Sequence, residues 1–142
     1  MIKGMDHMGF IVTDLEKAIA FYRDVVGLPE VRRLERDGGP IDNVLGYRNT
    51  HIKGAMLSLG EGHLLELIQY INPNPDGRPT EERAVIGGSH LGLRVEDIDA
   101  EFAKLVANGA KDLNPPVEVA PGRKVCYMQD PDGNWIELLE YD

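Results

Sequence analysis

The stretch GSHLGLRVEDIDA (residues 88–100) closely resembles MDHMGFIVTDLEKA (residues 5–18) earlier in the chain. Both read His-x-Gly-x-x-Val-x-Asp followed by an aliphatic residue, so that His7 matches His90 at an offset of 83 residues. A second pair, EGHLLELIQY (61–70) and DGNWIELLEY (132–141), aligns Glu66 with Glu137 at an offset of 71 residues. Two pairs of matches in the same order indicate an internal repeat.

Each copy of the repeat predicts one helix among several strands. DLEKAIAFYRDVVG (14–27) and EDIDAEFAKLVANG (96–109) carry apolar residues at helical spacing, a capping Asp near the start and a Gly at the end. A short β-rich run precedes each helix, and strands are predicted near 30–36, 51–59, 63–70, 117–120, 123–129 and 134–141. Each half therefore reads β-α-β-β-β, which predicts an α+β fold.

The chain length and the positions of the Pro- and Gly-rich turn segments predict one domain over residues 1–142, built from modules 1–74 and 87–142. NPNPDGRP (72–79) is interpreted as the linker between the modules, and RPTEER (78–83) as a solvated connector without a functional role. A unit of roughly 60 residues leaves one sheet face bare, so the two modules are expected to pair.

Composition excludes several classes of function. The net charge is −9 without a Lys/Arg cluster, which argues against a nucleic-acid partner. Apolar runs are too short to cross a bilayer, and the N-terminus lacks the apolar core of a signal peptide. Cys126 is the one cysteine, which excludes an internal disulfide and fits a reducing compartment. A cytoplasmic protein without a membrane partner is expected.

Strand alternation groups the residues that suggest chemistry. If His7 faces one side of its strand, Gly9 and Ile11 share that side, while Met8, Phe10 and Val12 face the helix. The same logic places His90 with Gly92 and Arg94, and Glu66 with Leu64, Ile68 and Tyr70. Glu137 is grouped with Trp135, Leu139 and Tyr141.

The two histidines and two glutamates together suggest a metal site. Glu66 and Glu137 stand among apolar residues, where an unpaired carboxylate would be costly. A divalent cation would compensate them, because imidazole nitrogen and carboxylate oxygen suit Zn, Ni, Co, Fe or Mn. The alternative is surface histidines together with carboxylates that pair with Arg or Lys. One His and one Glu in each half, in the same order, favour the metal.

The chain resembles the vicinal oxygen chelate superfamily, which includes glyoxalase I, methylmalonyl-CoA epimerase, extradiol dioxygenases, fosfomycin-resistance enzymes and bleomycin-binding proteins. The resemblance rests on DHMGFIVTDLEKAIAFYRDVVGL, LLELIQY, SHLGLRVEDID and DPDGNWIELLEY and spans essentially the whole length. It implies paired modules that form a curved sheet around a metal cleft, within one chain or across a homodimer. By position it implies one divalent metal with four ligands: His7, Glu66, His90 and Glu137.

The resemblance also implies a chemistry. We expect an isomerase, epimerase or lyase of the glyoxalase I or epimerase type, which acts through a metal-stabilised enolate on a small, oxygenated, anionic substrate. Glu137 or Glu66 would move the proton. The alternatives are an Fe(II) ring-cleaving dioxygenase and a metal-independent drug- or metabolite-binding resistance protein. Ile11 and Tyr70 stand where glyoxalase I enzymes generally have an Arg and an Asn for glutathione, which does not support glutathione recognition. Substrate and metal identity stay open.

Further residues are candidates for substrate binding, each with a structural alternative. Arg94 would bind a carboxylate or phosphate, or else form a salt bridge with a nearby acid. His51 would be an acid or base near the metal, or else a solvated strand-end histidine. Tyr70, Trp135 and Tyr141 would line the pocket, or else pack as strand aromatics commonly do. Cys126 is expected to pack, since no base is adjacent.

Overall fold

The structure is a computed structural model that describes residues 1–78 and 81–141. Pro79 and Thr80, which fall in the predicted linker and connector, and Asp142 lie outside the described residues. The chain divides into two compact units, Met1–Gly77 and Arg78–Asp142. Both combine one mixed sheet with helix, so the predicted α+β class is confirmed. No helix in the described ranges has the length and apolar character needed to span a membrane.

The first unit has a four-stranded sheet in the order β1-β4-β3-β2. Its strands are β1 (His7–Ile11), β2 (Glu30–Asp37), β3 (His51–Gly60) and β4 (His63–Asn72). β1 is parallel to β4, and the other neighbours are antiparallel. A parallel pair needs a long crossover connection, and the intervening helix and strands supply it.

The helix between β1 and β2 begins as predicted and then changes its winding. α1 (Leu15–Ile19) starts after Asp14, whose side chain accepts a hydrogen bond from the Lys17 N–H. A π-helical segment (Ala20–Val26) continues it and ends at the left-handed Gly27. A second helix, α2 (Pro40–Leu45), has no predicted counterpart. Only its first residue, Pro40, falls in the predicted turn DGGP (37–40). Ile41, Val44 and Leu45 stand at helical spacing, but six residues are too few for this pattern to predict a helix.

The second unit has a five-stranded sheet in which β5 (Leu91–Arg94), β9 (Trp135–Glu140), β8 (Arg123–Gln129) and β6 (Lys111–Asp112) are successive neighbours. β7 (Val117–Ala120) also pairs with β8. β5 is parallel to β9, as β1 is to β4. α3 (Ile98–Ala107) starts after Asp97, whose side chain accepts from the Ala100 N–H. β6 was not predicted, since two residues are too few to show an alternating pattern.

Each unit caps its helix from its last strand in the same way. In the first unit the Gln69 side chain accepts a hydrogen bond from the Leu15 N–H at 3.0 Å. In the second unit the Glu140 carboxylate accepts from the Ile98 N–H at 2.7 Å. Gln69 and Glu140 occupy the same place in the repeat. These bonds satisfy helix N–H groups that have no partner inside the helix, and they fix each helix on its sheet.

The core lies on the helix face of each sheet, as the alternation predicted. Phe10 and Val12 are buried, whereas Ile11 on the opposite face of β1 is 45% exposed. In the second unit Leu91 is buried and Arg94 is exposed. The most deeply buried apolar side chains include Ile19, Tyr22, Leu57, Leu65 and Leu67 in the first unit and Ile98, Leu105, Met128, Ile136 and Leu138 in the second. The histidines and glutamates of the repeat therefore lie on the sheet faces opposite the helices.

Candidate metal centre

In the first unit His7 and Glu66 form a contact pair. The parallel register of β1 and β4 puts Gly9 beside Glu66, so that Glu66 and His7 share one sheet face. His7 Nε2 lies 3.2 Å from Glu66 Oε2, and the carboxylate side chain is 15% exposed. On the other side of the imidazole, Nδ1 lies 2.7 Å from Asp6 Oδ1. With the proton on Nδ1, the Nε2 lone pair is available to a metal.

The second unit repeats this pair. His90 directly precedes β5, and the β5–β9 register puts Gly92 beside Glu137. His90 Nε2 lies 3.1 Å from Glu137 Oε2, and the carboxylate side chain is 19% exposed. Tyr127, which is opposite Glu137 on β8, brings its hydroxyl within 3.4 Å of His90 Nε2. Burial, followed by the nearby Glu137 charge, raises the pKa of the Tyr127 hydroxyl, which keeps it protonated at neutral pH.

Glycine keeps open the space beside each carboxylate. A Cβ at position 9 would stand 3.7 Å from Glu66 Oε2, and a Cβ at position 92 would stand 3.8 Å from Glu137 Oε2. Glycine inside a strand weakens it and often marks a place where another group approaches the backbone closely. Both halves of the repeat thus have glycine, which lacks a Cβ, next to the carboxylate oxygen that faces the histidine.

The two pairs fit the chemistry of a divalent metal. Ligand atoms at about 2.0–2.2 Å from one ion, at angles of roughly 90–110°, lie about 2.8–3.6 Å apart. The Nε2–Oε2 separations of 3.2 and 3.1 Å fall in that range. Within the described residues, no group of three or more His, Cys, Asp or Glu side chains is arranged to hold a metal. Each unit by itself therefore brings together two of the four predicted ligands.

Arg94 lies on the Glu137 face of the second sheet, four residues after His90. Its guanidinium carbon is 5.7 Å from the centre of the Tyr141 ring, and that of Arg123 is 5.3 Å from the same ring. No salt bridge to Arg94 occurs in the described part of the chain, so the alternative of a paired acid is not what the structure shows. A surface depression of about 680 Å³ is lined by Arg94, Val95, Glu96, Gly122, Glu140 and Tyr141.

The two candidates in the first unit differ in their relation to the His7–Glu66 pair. Tyr70 is on the same strand as Glu66, and burial raises its hydroxyl pKa, with smaller contributions from Tyr47 and Glu66. His51 pairs with Asn72, six residues and about 20 Å along β4 from Glu66. Its Nε2 lies 2.7 Å from Glu35 Oε1. The structure therefore gives His51 a carboxylate partner at the far end of the sheet and does not bring it to the pair.

Trp135 is buried and shares a sheet face with Glu137. It is 8% exposed and stands two residues before Glu137 on the same face of β9. Its indole N–H is buried without a hydrogen-bond partner among the described residues. The Arg83 guanidinium carbon lies 4.6 Å from the centre of its ring and 5.7 Å from the centre of the Tyr127 ring.

Three residues near the pairs were missed by the sequence reasoning. Asp6 could have been found, because a carboxylate next to a candidate ligand is a common outer partner. Tyr127 can be identified only when the pairing of β8 with β9 is known, and the sequence pattern of β8 does not reveal that pairing. Arg83 was assigned to a solvated connector, and only the path of the loop before β5 reveals its contact with two aromatic rings.

Comparison with known proteins agrees with the fold. The family model described as the Glyoxalase/Bleomycin resistance protein/Dioxygenase superfamily matches residues 4–138. The protein YwbC from Bacillus subtilis (strain 168) is 30% identical over 142 residues, with 99% of each chain covered. The 2-epi-5-epi-valiolone epimerase from an Actinomyces species is 30% identical over 141 residues, which cover 94% of this chain and 76% of the epimerase. The crystal structure of a glyoxalase family protein from Bacillus cereus has a TM-score of 0.86 at 24% identity and covers 100% of this chain and 97% of that one.

Proposed function

Because this chain belongs to the glyoxalase/bleomycin resistance protein/dioxygenase superfamily, we propose that it is a divalent-metal-dependent isomerase, epimerase or lyase for a small, oxygenated, anionic substrate. The observation that carries the proposal is the duplicated His–Glu pair, with Nε2–Oε2 distances of 3.2 and 3.1 Å. The similarity to an epimerase, an enzyme that inverts a stereocentre, supports proton-transfer chemistry. The proposed ligands are His7, Glu66, His90 and Glu137, for one ion of Ni, Co, Zn, Mn or Fe.

The metal would supply Lewis acidity to a substrate with two neighbouring oxygens, which makes a C–H bond beside them easier to ionise. Glu66 and Glu137 are the groups that would accept and return that proton. Their side chains are 15% and 19% exposed, which limits competition from water. The missing Cβ atoms at Gly9 and Gly92 leave room next to the same oxygens for the reacting carbon.

Substrate recognition is proposed for side chains that share a face with the glutamates. Arg94 carries a guanidinium without a carboxylate partner in the described residues, and the rim of its depression includes Tyr141. Such a guanidinium binds carboxylate or phosphate through two parallel hydrogen bonds. Tyr70 and Trp135 would bound the space around Glu66 and Glu137, respectively. The proposal assigns no role to His51, whose imidazole is bound to Glu35.

We also propose that the protein is a cytoplasmic homodimer. The single cysteine fits a reducing compartment, and it is buried. Sedimentation equilibrium on the purified protein tests the dimer directly, with a mass of twice 15.8 kDa as the expected result. A mass of one chain at micromolar concentration would contradict it.

The first experiment measures metal content on protein purified without chelator. Glu137→Gln and Glu66→Gln are expected to lose most of the metal, because each replaces an anionic ligand by a neutral amide. Glu140→Gln is the matched control, because Glu140 lies on β9 together with Glu137. A Gln at this position should still cap the helix, since Gln69 has the same capping role in the first unit. The control should keep wild-type metal content and fold.

The identity of the bound metal distinguishes between the candidate reactions. Stoichiometric Ni, Co, Zn or Mn, lost in both Glu variants, would support the proposal and lead to a screen for proton exchange on 2-oxo and 2-hydroxy compounds. Iron together with O2 consumption would favour a ring-cleaving dioxygenase. A protein that binds none of these ions, even after addition, would contradict the enzyme proposal and leave a metal-independent binding protein.

A further inference from the structure

Arg83 lies in the segment of the second unit that precedes β5, and its side chain contacts Trp135, which is on the Glu137 face of that unit's sheet. Its guanidinium carbon is 4.6 Å from the centre of the Trp135 ring and 5.7 Å from that of Tyr127. Tyr127 is opposite Glu137 on β8, and its hydroxyl is 3.4 Å from His90 Nε2. Tyr127 therefore contacts both the Arg83 guanidinium and His90 of the His90–Glu137 pair.

The contacts of Arg83 leave its hydrogen-bonding capacity unused. A guanidinium that rests on an aromatic ring interacts through its flat face, while its five N–H donors point outward in the plane. Within residues 1–78 and 81–141, no acceptor lies at hydrogen-bond or ion-pair distance from Arg83. Arg83 is exposed, and its contacts with two rings reduce the side-chain freedom that it would lose on binding an anion.

Gly88 fixes the backbone that carries Arg83. Its N–H donates to the Val85 carbonyl at 2.9 Å, which closes a turn. A Cβ at position 88 would lie 2.7 Å from the Arg83 carbonyl oxygen and 3.0 Å from that of Val85. Both obstacles are backbone atoms, so a larger residue would have to move the turn. This links the position of Arg83 to the start of β5 and to His90, two residues after Gly88.

The ring beneath Arg83 contains a second unused donor. The Trp135 indole N–H is buried without a hydrogen-bond partner in the described residues, although Trp135 is 8% exposed. Buried polar groups nearly always have a partner, so an unsatisfied donor in the ring that Arg83 contacts supports the binding of an acceptor near this ring. Met56 and Leu64 occupy the corresponding positions to Tyr127 and Trp135 in the first half, so these features belong to the second unit alone.

We propose that Arg83 binds a carboxylate or phosphate group of the substrate beside the His90–Glu137 pair and thereby selects short anionic substrates. Trp135 and Glu137 are two residues apart on one strand, or about 7 Å. The anionic group must then lie only a few bonds from the oxygens that reach the metal ligands. The selection of substrates rests on the proposed function, whereas anion binding by Arg83 does not.

The test uses Trp135, the only tryptophan of the chain, as a fluorescent reporter. Chelator-treated protein is titrated with malonate and with inorganic phosphate at constant ionic strength, and malonamide serves as the uncharged control. We expect a saturable change in fluorescence with both anions and none with malonamide. The ratio of the two affinities tells whether carboxylate or phosphate is preferred.

Variants attribute the response to Arg83. Arg83→Met keeps an unbranched apolar chain over the rings and should weaken anion binding at least about tenfold. Arg83→Lys keeps the charge without the planar fork and should be intermediate. Gly88→Ala keeps the guanidinium but moves its backbone, and should also weaken binding. Arg36→Met, the same substitution at an exposed arginine of β2, should bind like wild type.

The outcomes separate this inference from the metal proposal. Unchanged anion affinity in Arg83→Met, or no saturable response in the wild type, would overturn the role of Arg83. Metal content should be equal in Arg83→Met and wild type, because Arg83 is not a proposed ligand. If the wild type binds anions through Arg83 but no metal, the anion site stands and the proposed enzyme does not. Circular dichroism checks that each variant is folded.

Discussion

Asp6 offers a sharp test of how His7 is held, because it can be changed without touching a proposed ligand. Its Oδ1 lies 2.7 Å from His7 Nδ1, while His7 Nε2 faces Glu66. Asp6→Asn keeps the size of the side chain and can still accept a hydrogen bond through its amide oxygen, but it removes the negative charge. The carboxylate makes the imidazole a stronger ligand and fixes its ring orientation, so its loss should weaken metal binding.

The expected magnitude follows from the exposure of the pair. Loss of an outer carboxylate partner typically lowers metal affinity by about 10- to 100-fold. The side chain of Asp6 is 84% exposed and that of His7 is 39% exposed, so water screens much of the interaction. We therefore expect the lower end, about tenfold, which corresponds to about 1.4 kcal/mol of binding free energy.

The second unit provides the internal control. Ser89 occupies the place of Asp6 before His90, and no hydrogen bond joins it to the His90 ring in the described structure. Ser89→Ala should therefore leave metal affinity unchanged. Competition with a chromophoric chelator for Zn2+ or Ni2+, at pH 7.5 and fixed ionic strength, measures both variants. A change of less than twofold for Asp6→Asn, or equal losses in the two variants, would refute the reasoning.

Three further predictions concern stability and reactivity. Cys126 is 5% exposed, and burial raises the pKa of its thiol to about 11. At pH 8, iodoacetamide should therefore alkylate the folded protein far more slowly than the protein unfolded in urea, and the rate for the folded protein should rise as the pH approaches 11. Equal rates for the folded and unfolded protein at pH 8 would contradict this. Asp97→Ala removes the hydrogen bond to the Ala100 N–H and should cost about 0.5–2 kcal/mol in urea unfolding, while Asp97→Asn should stay near wild type. Leu65→Ala, at a fully buried position of β4, should lower the free energy of unfolding by about 2–5 kcal/mol, and a loss below 1 kcal/mol would argue against that burial.

The repeat made much of the fold predictable from the sequence. Strand alternation placed Phe10 in the core and His7 on the opposite face, and the structure agrees. The metal hypothesis put Glu66 on the face of His7, and the parallel register of β1 and β4 places both on one face. These predictions succeed because a period of two residues ties every side chain of a strand to one of two faces, so a single anchor fixes the others.

The features that escaped prediction depend on contacts that no local pattern encodes. α2 has only six residues, so its apolar Ile41, Val44 and Leu45 form too short a pattern to predict a helix, and its Pro40 ends the predicted turn DGGP. His51 is a candidate acid or base near the metal by sequence, with a solvated strand-end histidine as the alternative, and the β2–β3 pairing puts it beside Glu35. Arg83 belongs to a segment without period, and its position depends on the close backbone approach at Gly88.

The differences between the two halves suggest which residues serve metal binding and which serve substrate recognition. Both halves keep the same elements of the proposed metal site, namely a His, a strand Gly that leaves space, and a Glu at matching positions. What surrounds them differs: the first unit has Asp6 behind its histidine, and the second has Tyr127 and Trp135 beneath Arg83. The proposed metal would take one His and one Glu from each half, whereas a substrate with an anionic group needs an asymmetric site. The proposed anion-binding residues, Arg83 and Arg94, both belong to the second half. Changes around His7 should therefore act mainly on metal affinity, and changes around Arg83 mainly on the choice of anion.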